Sequence, residues 1–332
     1  MRVVIFGQAL LHEKVTWSDE VRALAADADA VICNFEGCLP PAGAWPMKTK
    51  TVHPAGPAAL EDLRELGVTH LGIANNHAWD FGHPGILATR NAIVGAGIAV
   101  AGAGVDGAEA RAPANRNGVA LIAVDAGPTP DWAIAGKGPG VAALRVRRVL
   151  GLPRTDLDTL SAISEASGDG QRRRLRQAVG FDVPSAPRPL DLDCVEAEAR
   201  QELHIVDPED LDRLCRSVEA AAGRADLVIV AIHYHMWAPD WLEAPTWLAS
   251  VAESALSNGA HAVVGTGPPW AFPAARTGER LVAPGLGNLV FHTGRPARYD
   301  ELGLPVWRGL AAVHEQGDWT TRAILVQRPH GR

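Results

Sequence analysis

The feature that most constrains this chain is a series of short apolar runs that each stop at a polar or glycine-rich corner. The runs are rich in Val and Ile, as in RVVIFG near the N-terminus, AVICNFEG from Ala30 and DLVIVAIHYH from Asp226. Such runs are typical of strands that are buried on both faces. Helix-like stretches lie between many of them, and several end at a glycine, as helices often do. This alternation of strands and helices predicts a layered α/β domain.

Composition and charge exclude several classes of protein. The 332 residues are 47% hydrophobic and 21% charged, which is enough apolar material for a substantial core. The formal net charge of −7 argues against a nucleic-acid footprint and gives no reason to expect a membrane partner. The first apolar run is broken by Gly7 and Gln8, so we interpret it as a strand rather than a signal peptide. The four cysteines form no CxxC pair, which favours a reduced, cytoplasmic protein without a thiolate zinc site.

Residues 127–203 differ from the rest of the chain. They are rich in Pro, Gly and Arg, include the basic run QRRRLRQ from Gln171, and show no strong strand pattern. We expect a single domain over residues 1–332 that contains an irregular insertion or cap at 127–203. The run is typical of a solvated basic surface, and a lid that grips an acidic or peptidic ligand is the alternative.

The polar residues at the ends of the apolar runs form the candidate site. In an open α/β sheet, ligands bind beyond the carboxyl ends of the strands, and these corners place amides, imidazoles and a carboxylate there. Several such corners at one sheet edge indicate a site, because buried polar groups without a purpose are costly. The corner residues are Gln8, Asn34, Glu36, Asn75, Asn76, His77, His233, Tyr234, His235 and His292.

These corners also carry a resemblance to a known family. The segments NFEG, GIANNHAWDFG, AIHYH, NGAHAVVG and GLGNLVF occur in the order seen in CapA-like proteins, which are named for capsule poly-gamma-glutamate synthesis. That family resembles the calcineurin-like metallophosphoesterases in fold. The resemblance therefore implies a four-layer α/β/β/α sandwich of the metallophosphoesterase type, with the site on loops at one sheet edge.

The chain departs from the family pattern at positions that would hold a pair of metal ions. The family has an Asp after the first strand, where this chain has Gln8, and the wider phosphoesterase pattern often has a His at the position of Leu10. A His-rich corner of the family is replaced by a segment that contains Gly267 and Pro269. An amide cannot supply a bridging carboxylate, so we expect neither a catalytic metal pair nor another cofactor.

The remaining imidazoles and carboxylate suit proton transfer near neutral pH. Two such groups on opposite faces of one carbon could remove and return a proton. A branch of the CapA-like family consists of metal-independent and cofactor-independent epimerases of lasso-peptide biosynthesis, which invert the Cα of a C-terminal tryptophan. This chain is similar to that branch in its lost metal ligands and in His292, where other CapA-like proteins often carry an Asp. The resemblance implies a peptide epimerase whose partner is a ribosomal precursor peptide.

The predicted roles follow from side-chain chemistry. The amides could hydrogen-bond an enolate-like oxygen, an aromatic pocket could hold an indole, and a lysine could meet a terminal carboxylate. The candidate acid and base groups are His292, His77, His233 and Glu36. The candidate substrate-binding residues are Gln8, Asn34, Asn75, Asn76, Tyr234, His235, Trp270 and Lys50.

Two other functions stay open at this point. The parent fold favours a metal-dependent hydrolase that acts on a phosphoester or an amide. A degenerate domain that binds a peptide or a polyglutamate without catalysis is the second alternative. Metal content separates the first from an epimerase, and hydrogen exchange at Cα separates the second.

Overall fold

The alternation of strands and helices is present in the computed structural model, which describes residues 1–49, 51–181 and 188–329. The strands of the described residues are β1 (Val3–Leu10), β2 (Ala30–Phe35), β3 (His70–Gly72), β4 (Ala99–Ala101), β5 (Ala103–Gly104), β6 (Ala114–Arg116), β7 (Val119–Ala126), β8 (Gly140–Val141), β9 (Val146–Leu152), β10 (Cys194–Glu196), β11 (Gln201–Val206), β12 (Leu227–Tyr234), β13 (Ala262–Thr266), β14 (Ala275–Thr277), β15 (Arg280–Ala283), β16 (Asn288–Phe291), β17 (Arg308–Glu315) and β18 (Asp318–Leu325).

The helices lie mainly between these strands, as the sequence pattern predicts. Among them, no helix in the described ranges is both long enough and apolar enough to cross a membrane. The helices of the described residues are α1 (Asp19–Ala25), α2 (Ala58–Glu65), α3 (Gly82–Gly95), α4 (Gly107–Ala110), α5 (Arg154–Ala166), α6 (Asp169–Ala178), α7 (Pro208–Ala222), α8 (Thr246–Ser257) and α9 (Pro296–Glu301).

The first large sheet carries the N-terminal strand near its centre. Its strand order is β18-β17-β1-β2-β3-β4, with β16 also paired to β1. β1 runs parallel to both β2 and β16. Every residue of β1, β2 and β3 is buried, which is why these strands appear in the sequence as continuous apolar runs. Helices α1, α2 and α3 contribute Val21, Leu63 and Ile86 to a hydrophobic cluster shared with this sheet.

The second large sheet has the order β14-β15-β13-β12-β7-β6, and its β12 runs parallel to both β7 and β13. Ile5 and Ile32 of the first sheet share a hydrophobic cluster with Leu121, Ile229 and Val264 of the second, so the two sheets pack against each other. Helix α7 contacts β12, and α8 contacts β13. The α/β class predicted from the sequence is therefore confirmed.

The chain divides into two compact units, residues 1–145 with 207–332 and residues 146–206. The smaller unit contains a three-stranded sheet in the order β10-β9-β11, together with α5 and α6. β9 and β11 pair antiparallel over six positions, although the sequence shows no strong strand there. Their residues are largely exposed or half-buried and mixed with arginine and glutamate, so they lack the apolar run that marks a buried strand. Residues 127–145, which the sequence groups with the insertion, belong to the larger unit.

The backbone of β1 approaches the turn before β16 closely at Gly7, and a substitution there tests this packing. A Cβ atom built on Gly7 would lie 2.0 Å from the carbonyl oxygen of Gly287, which is a backbone atom. We expect Gly7→Ala to lower the free energy of unfolding by about 1–3 kcal/mol, because the two strands must separate. Gly95→Ala in α3 is the control, since a Cβ there meets nothing and alanine favours the helix. Equal stability of the two variants in urea unfolding would contradict this packing.

Candidate active site

Strand register brings the predicted corner residues together. Gln8 on β1 is the register partner of Asn34 on β2. His233 on β12 lies in register with Asp125 on β7 and with Thr266 on β13. The Asn34 side-chain amide lies 3.4 Å from His233 Nδ1, so the corners of the two large sheets meet. Because all these strands are parallel, they deliver their polar ends to one edge, where α/β sheets bind ligands.

A cleft with a volume of about 340 Å³ opens at this edge. It combines titratable side chains with an aromatic wall, as ligand sites in α/β proteins often do. The titratable and amide side chains that line it are those of Gln8, Glu36, His53, His77, His235 and Arg295. The aromatic side chains that line it are those of Trp237, Phe291 and Tyr299.

Asp80 is fully buried and fixes the loop that follows β3. Its Oδ2 accepts hydrogen bonds from His77 Nδ1 at 3.0 Å and from the backbone N–H of His53 at 2.7 Å, and Lys48 Nζ lies 2.7 Å from Oδ1. Burial acts to raise the pKa of Asp80, but the His77 hydrogen bond and the Lys48 charge outweigh it and hold that pKa below its ordinary value. The His77 ring therefore carries its proton on Nδ1, which leaves Nε2 as an acceptor or base.

The three asparagines position the two histidines. Asn75 Nδ2 donates to a backbone carbonyl of β2 at 2.8 Å, and its Oδ1 accepts the backbone N–H of His77 at 3.0 Å. Asn34 Oδ1 accepts from Asn75 Nδ2 at 3.4 Å. Asn76 Oδ1 lies 3.0 Å from His233 Nε2. These side-chain amides make hydrogen bonds within the protein, and through them they orient the imidazoles.

Buried Glu36 and His233, together with half-buried His235, form the floor of the site. His233 Nε2 lies 3.2 Å from His235 Nε2 and 3.9 Å from Glu36 Oε1. Burial lowers the pKa of His233 well below its ordinary value and that of His235 to about 4, so both rings are neutral at pH 7. Burial, reinforced by the charges of Asp80 and Asp125, raises the pKa of Glu36 to about 8. Glu36 is therefore mainly a neutral carboxylic acid at pH 7, and its Oε2 has no hydrogen-bond partner among the described residues.

Gln8 and His292 each accept a hydrogen bond from a backbone N–H at this sheet edge. Gln8 Oε1 accepts the backbone N–H of Gly267 at 2.8 Å, so the donors on Nε2 are the part of this amide that a substrate can use. His292 lies between two residues that line the cleft, and its Nδ1 accepts the backbone N–H of His12 at 3.1 Å. The neutral His292 ring therefore carries its proton on Nε2.

Of the predicted substrate-binding residues, Gln8 and His235 line the cleft, whereas the three asparagines, Tyr234 and Trp270 are not part of its described wall. Tyr234 follows His233 along β12 and points to the other face of the sheet, where its hydroxyl donates to the Pro284 carbonyl at 2.9 Å. Trp270 is 2% exposed and belongs to a hydrophobic cluster. The cleft wall, as far as the described residues form it, contains neither of these side chains. Lys50 lies outside the described residues.

Sequence reasoning missed several titratable residues of this region, namely Asp125, His12, His53 and Arg295. Asp125 is buried at the end of β7, where its carboxylate accepts the backbone N–H of Gly127 at 2.8 Å and the hydroxyl of Thr129. Burial raises its pKa to about 6. Its signal was present, because Asp125 closes an apolar run as the other corner residues do. His12 and His53 gave no such signal, since neither directly follows a strand.

The donor set fits one cation better than a pair. Within the described residues, the ligand atoms of Glu36, His233 and His235 all lie within 4.8 Å of one another. One carboxylate and two imidazoles suit a single transition-metal ion. The positions at which relatives would complete a pair hold Leu10 and the Gln8 amide, whose oxygen is already bonded to a backbone N–H. The residues present therefore do not fit a bridged pair of ions.

The fold is an α/β domain whose edge-of-sheet cleft joins a neutral carboxyl group to several imidazoles, which makes it a candidate acid–base site. The chain belongs to the bacterial capsule synthesis protein family PGA_cap, whose family model matches residues 7–293. The resemblance to CapA-like proteins is thereby confirmed.

The similar proteins differ in how much of the chain they cover. Two uncharacterized proteins of Sinorhizobium fredii, y4sH and y4uA, are each 27% identical to it over 276 residues, which is 80% of this chain and 56% of theirs. A Mycobacterium tuberculosis protein described as a probable polyglutamine synthesis accessory protein is 30% identical over 138 residues, which is 39% of this chain and 36% of that protein. The chain thus spans about half the length of the Sinorhizobium relatives.

Glu36→Gln tests whether the fold holds this carboxyl group in its neutral form. The pKa of about 8 in the folded protein exceeds the ordinary value of 4.5, so between these pH values the folded state binds a proton that the unfolded state has released. The contribution of Glu36 to stability is therefore present at low pH and is lost as the pH rises toward 8. We expect the Tm of Glu36→Gln, measured by calorimetry in EDTA, to rise relative to that of the wild type as the pH increases from 4.5 to about 8.

Asp125→Asn is the matched control for that experiment. The pKa of Asp125 is raised only to about 6 from an ordinary value of 3.8, so its pH-dependent difference from the wild type is largely complete by about pH 7. Wild-type and Glu36→Gln curves that run parallel from pH 5 to pH 9 would contradict the neutral carboxyl group.

Asp80→Asn tests the buried ion pair. It leaves the Lys48 ammonium group without its carboxylate, and breaking a buried pair in this way costs about 3–5 kcal/mol of unfolding free energy. We expect the double variant Lys48→Met/Asp80→Asn to lose clearly less stability than the sum of the two single variants, because it removes both charges. Urea unfolding of the four proteins measures this coupling, and strictly additive losses would show that the pair is not stabilising.

Proposed function

We propose that this chain is a metal-independent and cofactor-independent peptide epimerase that inverts a Cα centre by proton transfer. The observation that carries the proposal is the presence, in one cleft, of a neutral carboxylic acid at Glu36 and of the neutral imidazoles of His77 and His235. Inversion of a carbon needs a base and an acid that are both in the correct protonation state near pH 7. The four-layer metallophosphoesterase-type arrangement and the relation to the lasso-peptide branch are part of this proposal.

His77 acts as the base in this scheme. Its Nδ1–H is bound to Asp80, so the lone pair on Nε2 takes the proton from Cα. The electron pair of the broken C–H bond delocalises into the neighbouring carbonyl group, whose oxygen accepts a hydrogen bond from Gln8 Nε2. Glu36 then gives its proton to the opposite face of Cα. One proton leaves the substrate for His77, and one enters it from Glu36.

The other predicted histidines have supporting roles. His233 meets Thr266 Oγ1 at 3.2 Å on Nδ1 and Asn76 and His235 on Nε2, so it sets the orientation of the floor rather than contacting substrate. His292 is buried next to Phe291 and Thr293 of the cleft wall, and it anchors the backbone N–H of His12 through Nδ1, so we assign it a positioning role.

The aromatic wall supports a peptide that ends in an aromatic residue. Trp237, Phe291 and Tyr299 line the cleft and can bury an indole or phenyl ring. Arg295 lines the same cleft, and its guanidinium group is suited to a carboxylate such as a peptide C-terminus. The C-terminal tryptophan of a lasso-peptide precursor, which the resemblance implies, meets both requirements.

A metal-dependent hydrolase is the second candidate, and the cluster of Glu36, His233 and His235 favours it. An ion held there would polarise a phosphoryl or carbonyl oxygen. The polyglutamine synthesis named for the Mycobacterium relative makes a glutamine-rich peptide the corresponding candidate substrate.

Exchange in deuterium oxide separates the candidates. We expect peptides that end in L-tryptophan to gain deuterium at that Cα and to yield the D-epimer, with the same rate in EDTA. His77→Ala and Glu36→Gln each remove a proton-transfer group and should slow exchange by about 10²–10⁴-fold. His83→Ala is the control, because this histidine bonds to the Trp132 carbonyl outside the cleft. Hydrolysis of a phosphoester or an amide without exchange at Cα, if it vanishes in EDTA and returns with one added Zn²⁺ or Mn²⁺ ion, would establish the hydrolase instead.

A further inference from the structure

We propose that His12 and His53 form a proton relay that connects the cleft to bulk water. This inference rests on the proposed epimerase, because it concerns how the acid and base of that reaction are reset. Neither residue follows a strand, and neither has a part in the proton transfers assigned above. Their positions nevertheless link the solvent to the reacting groups.

The geometry is a chain of three imidazole rings. His12 is exposed to solvent, and its Nε2 lies 3.0 Å from His53 Nδ1, which is hydrogen-bonding distance. His53 lines the cleft, and its ring centroid lies 4.0 Å from that of His77. A hydrogen-bonded pair of imidazoles therefore leads from water to the wall beside the proposed base.

The backbone holds both ends of this pair in place. The N–H of His53 donates to Asp80 Oδ2 at 2.7 Å, the same oxygen that binds His77. The N–H of His12 donates to His292 Nδ1 at 3.1 Å. The two relay residues are thus anchored to two of the groups that the epimerase uses, so the relay and the reacting centre keep a fixed geometry.

The reaction creates the need for such a path. After one inversion, His77 holds an extra proton and Glu36 has lost one, so the enzyme must exchange protons before the next turnover. A neutral imidazole can accept a proton on one nitrogen and release another from the second. A proton released into the cleft enters His53 at Nε2, leaves from Nδ1 to His12 Nε2, and passes from His12 Nδ1 to water. The reverse sequence carries a proton from water to the cleft.

The residues around His53 and His12 favour transfer of a proton through the two rings over its retention on either ring. His53 is faced by His77, His12, Asp80 and Lys48. Burial lowers its pKa to about 3, reinforced by the charges of His77, His12 and Lys48 and only partly opposed by Asp80. His12 is solvent-exposed on one side, and the partial burial of its ring is the main cause of its lowered pKa, with the charge of His77 acting in the same direction and Glu13 opposing it. Neither ring holds a second proton at pH 7, so each can accept a proton and pass it on without retaining it.

Turnover in weak buffer tests the relay. His12→Gln keeps a hydrogen-bonding side chain but cannot accept a proton, so we expect turnover in dilute buffer to fall by roughly tenfold or more with KM unchanged. Added imidazole should restore turnover toward the wild-type value, because a diffusing base replaces the missing one. A purely structural role for His12 would give a loss that imidazole cannot repair, and that result would overturn the relay.

Two further variants sharpen the test. His53→Gln and the double variant His12→Gln/His53→Gln should lose the same factor as His12→Gln alone, since the two residues act in series. His83→Gln is the control and should show neither the loss nor the dependence on imidazole. Multiplying losses in the double variant would contradict a single path.

A spectroscopic measurement separates failure of the relay from failure of the epimerase. In ¹⁵N-histidine-labelled protein, we expect a coupling across the hydrogen bond between His12 Nε2 and His53 Nδ1, and a shift of the His53 ring resonances in His12→Gln. Absence of both overturns the relay whatever the enzyme does. A wild-type protein that shows the coupling but no exchange at Cα overturns the proposed function, and the relay role falls with it.

Discussion

One buried carboxylate, Asp80, is the interaction on which the rest of the site depends. It accepts hydrogen bonds from a histidine side chain and from a backbone N–H, and it pairs with the ammonium group of Lys48. A charge with no solvent access is tolerated only when its lone pairs are satisfied. Asp80 therefore draws together the loop after β3 and the irregular segment that carries Lys48 and His53. It also decides which nitrogen of His77 is available for chemistry.

The two large sheets supply the rigidity that this arrangement needs. The parallel strands β1 and β2, and β7, β12 and β13, set the spacing of the polar corners through their backbone hydrogen bonds. The site itself does not favour folding. Glu36 is buried with a pKa raised to about 8, and buried His233 and half-buried His235 are neutral bases. Such groups lower stability where they serve function, and the surrounding apolar core offsets that cost.

Part of the fold and of the site could be predicted from particular residues. The buried run before Asn34 predicted a strand, and the end of that run predicted a polar corner, because burial on both faces leaves a continuous apolar signature. The corners of Glu36, His77 and His235 were found in this way, and the cleft contains all three. Tyr234 stood beside them in the sequence but faces the other side of the sheet, since side chains alternate along a strand. Strands such as β9, which interrupt buried positions with exposed arginines, left no continuous apolar run.

The sequence by itself determined the α/β class, the resemblance to the CapA-like family, and the presence of an amide, Gln8, at a position where that resemblance implies a carboxylate. These follow from residue types and from local periodicity, which a chain carries in any conformation. Only the tertiary structure decided that Glu36 is a neutral acid and that His12 meets His53. A pKa and a hydrogen bond depend on burial and on partners that are distant in sequence. Those partners are fixed only when the sheets pack and their strand ends converge.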